Sequence, residues 1–409
     1  MSRLEKILLT ANIILYGFLT VFSYAYVDLN LTLSQNPQSL FFVKLMQQLG
    51  YYHRPQATLI YLSWIGIAFS FFIFNLWSLY KNKIGLGYLK ISAITNTLIL
   101  ILAYPFLSSD LFNYLFDAKL ILNYQASPYT YRPLDFPNDE WLRFMRWVHR
   151  LSPYGPLWLG MSIIPAFLGF GKFILNFLTF KIFIASFHLI NTYLIFLILK
   201  RINLKIAAFG TAFYALNPLF LIEGVANAHN DVVLATFMLG SLHFFAMGKN
   251  LRSFLILLAG VLIKYIPILN LPWLLLAILN PKIPNCVKMV DKKHSIIRLI
   301  ILNLVTMAIF TYVYSSFRIT VPFVSSGATQ VQFQPWYLFW TLPFVALLPS
   351  MGLMMISIAL SVGASLRYLP YLYYGDWDHE GTLLFMELAI LIPLLLLSAT
   401  YVVKRVIKH

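Results

Sequence analysis

Apolar residues follow one another in about a dozen long runs between residues 7 and 403, with only short breaks between them. An α-helix rises 1.5 Å per residue, so roughly 20 apolar residues cross the hydrocarbon core of a bilayer. The chain is 60% hydrophobic and 11% charged, against roughly 45–50% and 25% in soluble domains. We therefore predict an all-α polytopic membrane protein with about 12 transmembrane helices, forming a single domain over residues 1–409. The predicted runs are 7–27, 57–80, 88–107, 173–199, 206–224, 232–247, 251–264, 266–280, 296–316, 336–349, 350–364 and 383–403.

Basic residues are concentrated in the connections on one side of these runs. With the N-terminus placed in the cytoplasm, 18 of the 30 basic residues face that side, together with only two acids, Glu5 and Asp291. This is the positive-inside bias that orients membrane proteins, and it accounts for the whole net charge of +16 without any nucleic-acid partner. We predict a multi-pass protein of the plasma (inner) membrane. Its longer outer segments are 28–56, 108–155, 317–335 and 365–382.

Two segments depart from simple membrane spans. Residues 156–170 are apolar, but about 15 residues give only about 22 Å of helix, less than a hydrocarbon core of ~30 Å. We predict a partial or re-entrant helix there. Residues 139–151 place apolar side chains at helical spacing and arginines on the opposite flank. This pattern predicts an amphipathic helix in the outer headgroup layer, with a loop helix packed on its neighbours as the alternative.

Two carboxylates follow the third run at the start of the large outer loop 108–155. Asp110 comes after two serines, and Asp117 lies seven residues further on, so the two could share a helix face. A carboxylate at the mouth of a membrane cavity acts as a general base when it reaches an acceptor hydroxyl. The alternative is structural, because Ser109 or Asp110 is also suited to capping the next helix.

A second polar cluster separates the runs 206–224 and 232–247. Glu223, His229, Asn230 and Asp231 lie in the sequence Glu-Gly-Val-Ala-Asn-Ala-His-Asn-Asp. Polar residues in such number are costly in a membrane unless they face water or a ligand. They predict binding of a sugar, a phosphate or a cation, against the alternative of a helix cap and a solvated turn. One histidine without fixed ligand spacing specifies no metal.

Further candidates lie in the second half of the chain. Lys264 interrupts an apolar hairpin on the outer side, where it could pair with a lipid phosphate or extend to ordinary headgroups. Gln334 and Trp336 belong to the segment Gln-Pro-Trp-Tyr that begins the run 336–349. A helix-opening proline and interfacial aromatic residues explain most of that segment without a function.

The order of these motifs resembles a known family. Ser109-Asp110, Tyr154-Gly155-Pro156-Leu157, residues 227–231, Lys264-Tyr265-Ile266-Pro267 and Gln334-Pro335-Trp336-Tyr337 together look like the GT-C superfamily of polyprenyl-phosphate-sugar-dependent glycosyltransferases. The similarity is greatest to the bacterial α-mannosyltransferases of lipoglycan assembly.

The resemblance implies inverting transfer, most simply of mannose, from a polyprenyl-phosphate sugar donor to a lipid- or glycan-linked acceptor hydroxyl on the outer face. It implies Asp110 as the base, and it places Asp117, Tyr154, Glu223, His229, Asn230, Asp231, Lys264, Gln334 and Trp336 with the donor and acceptor. The family's second acidic residue is absent, because positions 108 and 112 are Ser and Phe. The resemblance therefore names no certain cofactor, and it leaves dependence on a divalent cation open.

Two other classes remain as alternatives. A secondary transporter also uses polar residues within the membrane, but the two halves of the chain show no matching broken helices. A lipid-linked polysaccharide polymerase or ligase would rest on outer arginines and a histidine. Arg318, Arg367 and His379 do not form a clear pattern of that kind.

Overall fold

The computed structural model describes residues 1–29, 35–279, 289–316 and 333–376, with scattered positions between 385 and 398. Every regular element in these ranges is helical. The α-helices are α1 Arg3–Ser23, α2 Pro37–Gln47, α3 Arg54–Tyr80, α4 Leu86–Ile101, α5 Asp110–Leu122, α6 Pro156–Leu168, α7 Phe173–Ile202, α8 Leu204–Ala215, α9 Pro218–Leu221, α10 Asp231–Ala246, α11 Asn250–Val261, α12 Leu271–Leu279, α13 Met289–Ser316, α14 Leu342–Leu347, α15 Met351–Leu366 and α16 Leu369–Tyr374. Shorter turns of 3₁₀ or π helix cover Tyr24–Tyr26, Gln48–Tyr52, Pro133–Asp135, Glu140–Phe144, Ile222–Ala226, Ile266–Asn270 and Pro335–Trp340.

The helices are those of a membrane protein. Five are long and apolar enough to cross a bilayer, and the bent pair Ile206–Ala215 and Pro218–Ala226 makes a sixth candidate if counted as one span. Other predicted runs are apolar helices of 10–17 residues, so the predicted count of about 12 spans is not confirmed. Most of the run 383–403 lies outside the described residues. The five long helices are Arg3–Tyr26, Arg54–Tyr80, Phe173–Ile202, Lys293–Ser315 and Met351–Tyr374.

The N-terminus, the α3–α4 turn and the beginning of α8 share one end of the bundle. The Glu5 carboxylate accepts a hydrogen bond of 2.9 Å from the backbone of Gly85, which ties the start of α1 to that turn. Tyr80, the last residue of α3, lies with its ring 6.5 Å from that of Phe209 in the first half of α8. These contacts define what we call the basic end, since several of the lysines and arginines predicted to be cytoplasmic belong to it.

The hairpin of α10 and α11 connects the basic end with the opposite end. Arg201 and Lys249 both act electrostatically on His243 in the last turn of α10, so the α10–α11 turn belongs to the basic end. Helix α11 then returns to Lys264, which binds Asp231 at the start of α10. The 16 residues of α10 separate these two levels by about 24 Å. We call the level of Asp231 the site end.

Helix α6 agrees with the prediction of a partial helix over 156–170. It has only 13 residues, and the backbone N–H of Gly155 before it donates to the carbonyl of Ile263, next to Lys264. After α6, the ring of Phe173 stacks on Phe112 of α5 with centroids 6.2 Å apart. Both ends of α6 therefore lie at the site end, and α6 does not carry the chain across the bundle.

The prediction of an amphipathic helix over 139–151 is wrong. Only Glu140–Phe144 is helical, as a 3₁₀ turn, because long-range contacts hold the rest of the segment in other conformations. The Asp139 carboxylate binds Lys119 of α5, which fixes the beginning of the segment. Further on, the Val148 carbonyl accepts a hydrogen bond from the backbone of Leu134. The backbone is thus paired with another part of the outer loop instead of with itself.

Candidate active site

A break in the chain after α8 creates the centre of the site. Pro218 has no N–H to continue α8, and the Asn217 side chain accepts a hydrogen bond of 3.0 Å from the backbone of Leu219 to start α9. The two halves are bent by 48°. A π-helical turn, Ile222–Ala226, follows α9, and Ala228 then takes a left-handed conformation with φ +56°. This path places Glu223 and His229 inside the protein at the site end.

His229 lies between two carboxylates. Its Nδ1 atom is 3.4 Å from the Asp110 carboxylate, and its Nε2 atom is 3.3 Å from the Glu223 carboxylate. The His229 and Glu223 side chains are fully buried, whereas the Asp110 side chain is 18% exposed. The ring of Trp336 stacks on the His229 ring with centroids 4.0 Å apart. Sequence motifs that lie more than 200 residues apart therefore meet in one cluster.

The carboxylates favour the charged form of His229. Burial opposes protonation of the ring, but hydrogen bonding and charge attraction from Asp110 and Glu223 outweigh burial and raise the pKa of His229 to about 9. The ring is thus an imidazolium at neutral pH, held between two acceptors. It orients both carboxylates and balances part of their charge.

The helix-cap alternatives gain no support from the geometry. Ser109 precedes α5, but its side chain makes no capping hydrogen bond, and the Asp110 carboxylate faces His229. Asn230 precedes α10, and its side chain makes no cap either. Its amide nitrogen and oxygen are buried without a hydrogen-bond partner in the described part of the chain.

Glu223 is enclosed by polar groups from several segments. The Asn227 amide donates to its carboxylate at 3.1 Å, and the Tyr368 hydroxyl interacts with the same carboxylate. The Asn227 oxygen accepts from the backbone of Leu107, just before α5. Since Asn227 connects the Glu223 turn to the segment that carries Asp110, it fixes the distance between the two acids.

Lys264 is not the lone cation that its sequence context suggested. Its Nζ atom lies 2.9 and 3.0 Å from the two oxygens of Asp231. The Trp340 indole donates to the same carboxylate at 2.6 Å. Asp231 is the first residue of α10, where the helix dipole favours a negative charge. The Lys264 charge is therefore matched inside the protein.

Tyr154 reaches the site through a second tyrosine. Its ring packs edge-on against Tyr114 of α5 with centroids 5.1 Å apart, and the Tyr114 hydroxyl accepts from the backbone of Asn230 at 3.3 Å. The pair thus joins the outer loop to the turn beside His229.

Asp117 and Gln334 form their hydrogen bonds with residues other than Asp110, His229 and Glu223. Asp117 accepts a hydrogen bond of 2.7 Å from Ser152, and burial, only partly opposed by that bond, raises its pKa to about 7. Asp110 and Asp117 lie on the same helix, α5, but they have different polar partners. Gln334 accepts a hydrogen bond from Arg367, which is almost fully buried.

The structure adds residues that the sequence did not single out. Arg150 is partly buried beside the site, close enough for the Asp110 charge to act on it. Its Nε atom is buried with no hydrogen-bond partner among the described residues, and its guanidinium lies 4.0 Å from the Trp147 ring. The basic spacing of 143, 146 and 150 was the only sequence signal for it. The other additions are Tyr114, Trp340 and Tyr368. Arg318 and His379 lie outside the described residues.

The two carboxylates of the cluster face His229 from opposite sides. Within the described ranges, no group of three or more His, Cys, Asp or Glu side chains is arranged to hold a metal ion. Both ring nitrogens of His229 face carboxylates instead. The arrangement is suited to proton transfer and to binding polar ligands.

A cluster of acids and an imidazolium at one end of an apolar helical bundle is typical of a membrane enzyme that acts on a polar or lipid-linked substrate. Comparison with known families gives the class. Residues 14–280, almost two thirds of the chain, match the family described as alpha-(1->6)-mannopyranosyltransferase, N-terminal domain. The chain belongs to this family and is a glycosyltransferase of the mannosyltransferase type. No curated protein and no solved structure matches the chain.

Proposed function

We propose that the protein transfers mannose, with inversion, from a polyprenyl-phosphate-linked donor to a hydroxyl group of a lipid- or glycan-linked acceptor. The reaction would take place at the site end, on the outer face of the plasma membrane. Support for this orientation comes from the separation of the site from the basic end by the length of α10, since basic ends favour the cytoplasm.

The assignment of Asp110 as the general base rests on the exposure of its carboxylate. Within the Asp110–His229–Glu223 cluster, Asp110 alone has a partly exposed carboxylate, while the other two side chains are closed off from solvent. A general base must reach the proton that it removes. Asp110 is therefore the member of the cluster available to a substrate, and His229 and Glu223 act through it as positioning residues.

The proposed step is a displacement at the anomeric carbon of the donor sugar. Asp110 takes the proton of the acceptor hydroxyl, and the acceptor oxygen forms a bond to the anomeric carbon of mannose. The bond between that carbon and the phosphate oxygen breaks on the opposite face, and the phosphate leaves with the electron pair. Positive groups near the phosphate stabilise the charge that develops there.

Arg150 is better placed than Lys264 to meet the donor phosphate. Asp231 already neutralises Lys264, whereas the Arg150 Nε has no partner in the described structure. Guanidinium groups form strong charge-assisted hydrogen bonds with phosphate. Lys264 and Asp231 then shape the opposite wall of the site.

The remaining residues support substrate binding in two ways. Trp336 is half-buried beside His229 and offers aromatic surface to the sugar. The buried Asn230 amide and the buried Tyr154 ring lie behind this surface and line the inner wall of the site. Asp117 and Gln334 are bound to Ser152 and Arg367, so we assign them to holding the surrounding loops in place.

The direct test of this function is transfer of radiolabelled mannose in proteoliposomes. We expect a labelled glycan product from polyprenyl-phosphate mannose, and none from a nucleotide-linked mannose or a lipid-diphosphate oligosaccharide. Product formation from the lipid-diphosphate oligosaccharide would favour a polymerase or ligase. Movement of labelled sugar across the membrane without a new glycosidic bond would favour a transporter.

A further inference from the structure

A fully buried lysine lies next to the broken helix, and the proposed chemistry does not use it. Lys181 of α7 has no solvent exposure. Its Nζ atom donates to the backbone carbonyls of Val225 and Ala226, at 2.6 and 2.5 Å. It forms no ion pair with any acid in the described part of the chain. A buried lysine without an acidic partner is costly within a membrane and is usually functional.

The two carbonyls belong to the point where helical hydrogen bonding stops. The backbone N–H groups of Asn227 and His229 bond back to Ile222 and Glu223, and the chain then turns through the left-handed Ala228. The last carbonyls of a helical segment have no N–H partner within it. Residues 225 and 226 are fully buried, so the loss of Lys181 would remove the hydrogen-bond partner of two buried carbonyls.

The turn that Lys181 supports connects two residues of the site, Glu223 and His229. Glu223 lies two residues before the first of these carbonyls, and His229 lies three residues after the second. A shift of the turn would move the His229 ring relative to both Asp110 and Glu223, which are 3.4 and 3.3 Å away. Misplacement by about 1 Å costs up to about 10²-fold in rate.

We propose that Lys181 is a positioning residue for mannosyl transfer: it ties the end of the π-helical turn to α7, which keeps His229 aligned with Asp110 and Glu223. The proposal rests on the proposed function for its effect on rate. Its geometric part concerns the environment of His229 and is measurable without substrate.

The test compares Lys181→Met with a control on the same helix. His188 of α7 is also fully buried and also contacts a backbone carbonyl, that of Ala215 at 3.2 Å, but it lies outside the His229 cluster. His188→Phe therefore reports the cost of removing a buried polar contact from α7. Lys181→Gln keeps an N–H donor on a shorter side chain. If Lys181→Met does not fold, the same measurements are made on Lys181→Gln.

We expect Lys181→Met to lower kcat by about 10- to 100-fold with little change in the KM for the donor, and Lys181→Gln to restore part of the loss. His188→Phe should leave kcat within about threefold at a similar loss of thermal stability. The unfolding temperature is also measured against pH without substrate. The alkaline pH at which the His229 contribution to the unfolding temperature is lost should fall by about one pH unit or more in Lys181→Met, because the His229 ring loses its two carboxylate acceptors.

Two results would overturn the proposal. One is an unchanged kcat in Lys181→Met. The other is an unchanged pH for the loss of the His229 contribution, since a lysine that only stabilises α7 would lower the unfolding temperature without changing that pH. Absence of mannose transfer by the wild-type protein would instead refute the proposed function. The unfolding measurement would still decide whether Lys181 positions His229.

Discussion

At the scale of single residues, the protonation of His229 depends on the geometry of the site. Its ring has no solvent exposure, and its two carboxylate neighbours raise its pKa to about 9 despite the burial. A histidine whose pKa is higher in the folded than in the unfolded state stabilises the fold while it is protonated. That contribution is fully present below pH ~6.5, and it is lost as the pH rises through about 9.

We therefore predict that the protein loses thermal stability between about pH 6.5 and about pH 9. The measurement is the unfolding midpoint in detergent over that range for the wild type and for His229→Gln, which cannot titrate. The variant should be less stable at neutral pH, with a much flatter dependence on pH. Parallel curves for the two proteins would show that another group is responsible.

Arg150 and Lys264 differ in their partners, and this difference predicts different mutant behaviour. Arg150→Met should raise the KM for the donor by about 10- to 100-fold, since a hydrogen bond to a charged group contributes about 1.5–3 kcal/mol. Its thermal stability should change little. Lys264→Met should mainly destabilise the protein, because it leaves the buried Asp231 carboxylate without its cation.

Steady-state kinetics against donor concentration, together with thermal unfolding of both variants, separates these effects. The opposite result would be a weaker donor affinity in Lys264→Met at unchanged stability, together with an unchanged donor affinity in Arg150→Met. In that case the phosphate would lie against Lys264.

The sequence identified most of the site because polar residues within apolar runs are conspicuous. Asp110, Glu223 and His229 stand out for this reason, and the structure brings them together. The pairing of Lys264 with Asp231 depends on the closure of a hairpin across 33 positions, and local patterns do not specify such a contact. Arg150 was hidden because its segment reads as a surface helix.

At the scale of elements, the beginning of α6 is joined to the turn after α11 by backbone hydrogen bonds. The N–H groups of Gly155 and Leu157 donate to the carbonyls of Ile263 and Leu262, both at 2.9 Å. A Cβ atom on Gly155 would lie 2.1 Å from the Leu262 oxygen, far inside contact distance. Only glycine allows this approach, which explains its place in the sequence Tyr-Gly-Pro-Leu.

Gly155→Ala should accordingly separate α6 from the segment that carries Lys264. We expect a loss of about 1–3 kcal/mol in the free energy of unfolding, the usual cost of overpacking, and a lower kcat. The control is Gly160→Ala within α6, where an added Cβ meets no atom within 4 Å. Equal stability of the two variants in thermal unfolding would contradict the described junction.

The helices were predictable where hydrophobicity alone determines them. Helices α3 and α7 follow apolar runs closely, since long apolar segments have no other way to satisfy their backbone in a membrane. The failure at 139–151 has the opposite cause. Its helical spacing of apolar residues was real, but Asp139 and Val148 are bound by α5 and by Leu134 instead.

At the scale of the whole molecule, the bundle has two chemically different ends. The basic end holds the α10–α11 turn with Lys249 and the end of α7 with Arg201. The site end holds Asp110 and the outer-loop turn with Arg143. The account therefore predicts opposite accessibility for the two ends in a cell.

Single cysteines at positions 143 and 249, introduced separately in a Cys286→Ser background, test this sidedness. Both native residues are exposed. An impermeant thiol reagent added to intact cells should label Arg143→Cys at once, and Lys249→Cys only after permeabilisation. The reverse pattern would place the site in the cytoplasm, and labelling of both from one side would contradict the two-ended bundle.

The most direct test of the proposed mechanism is the rate of Asp110→Asn in the polyprenyl-phosphate mannose assay. Asparagine keeps the size of the side chain but cannot accept the proton of the acceptor hydroxyl. Asp135→Asn is the control, since Asp135 belongs to the same outer loop and pairs only with its neighbour Arg132 in the described structure. The account predicts that Asp110→Asn lowers kcat by about 10²–10⁴-fold at wild-type donor affinity, whereas Asp135→Asn stays near wild type. Wild-type turnover in a folded Asp110→Asn protein would contradict it.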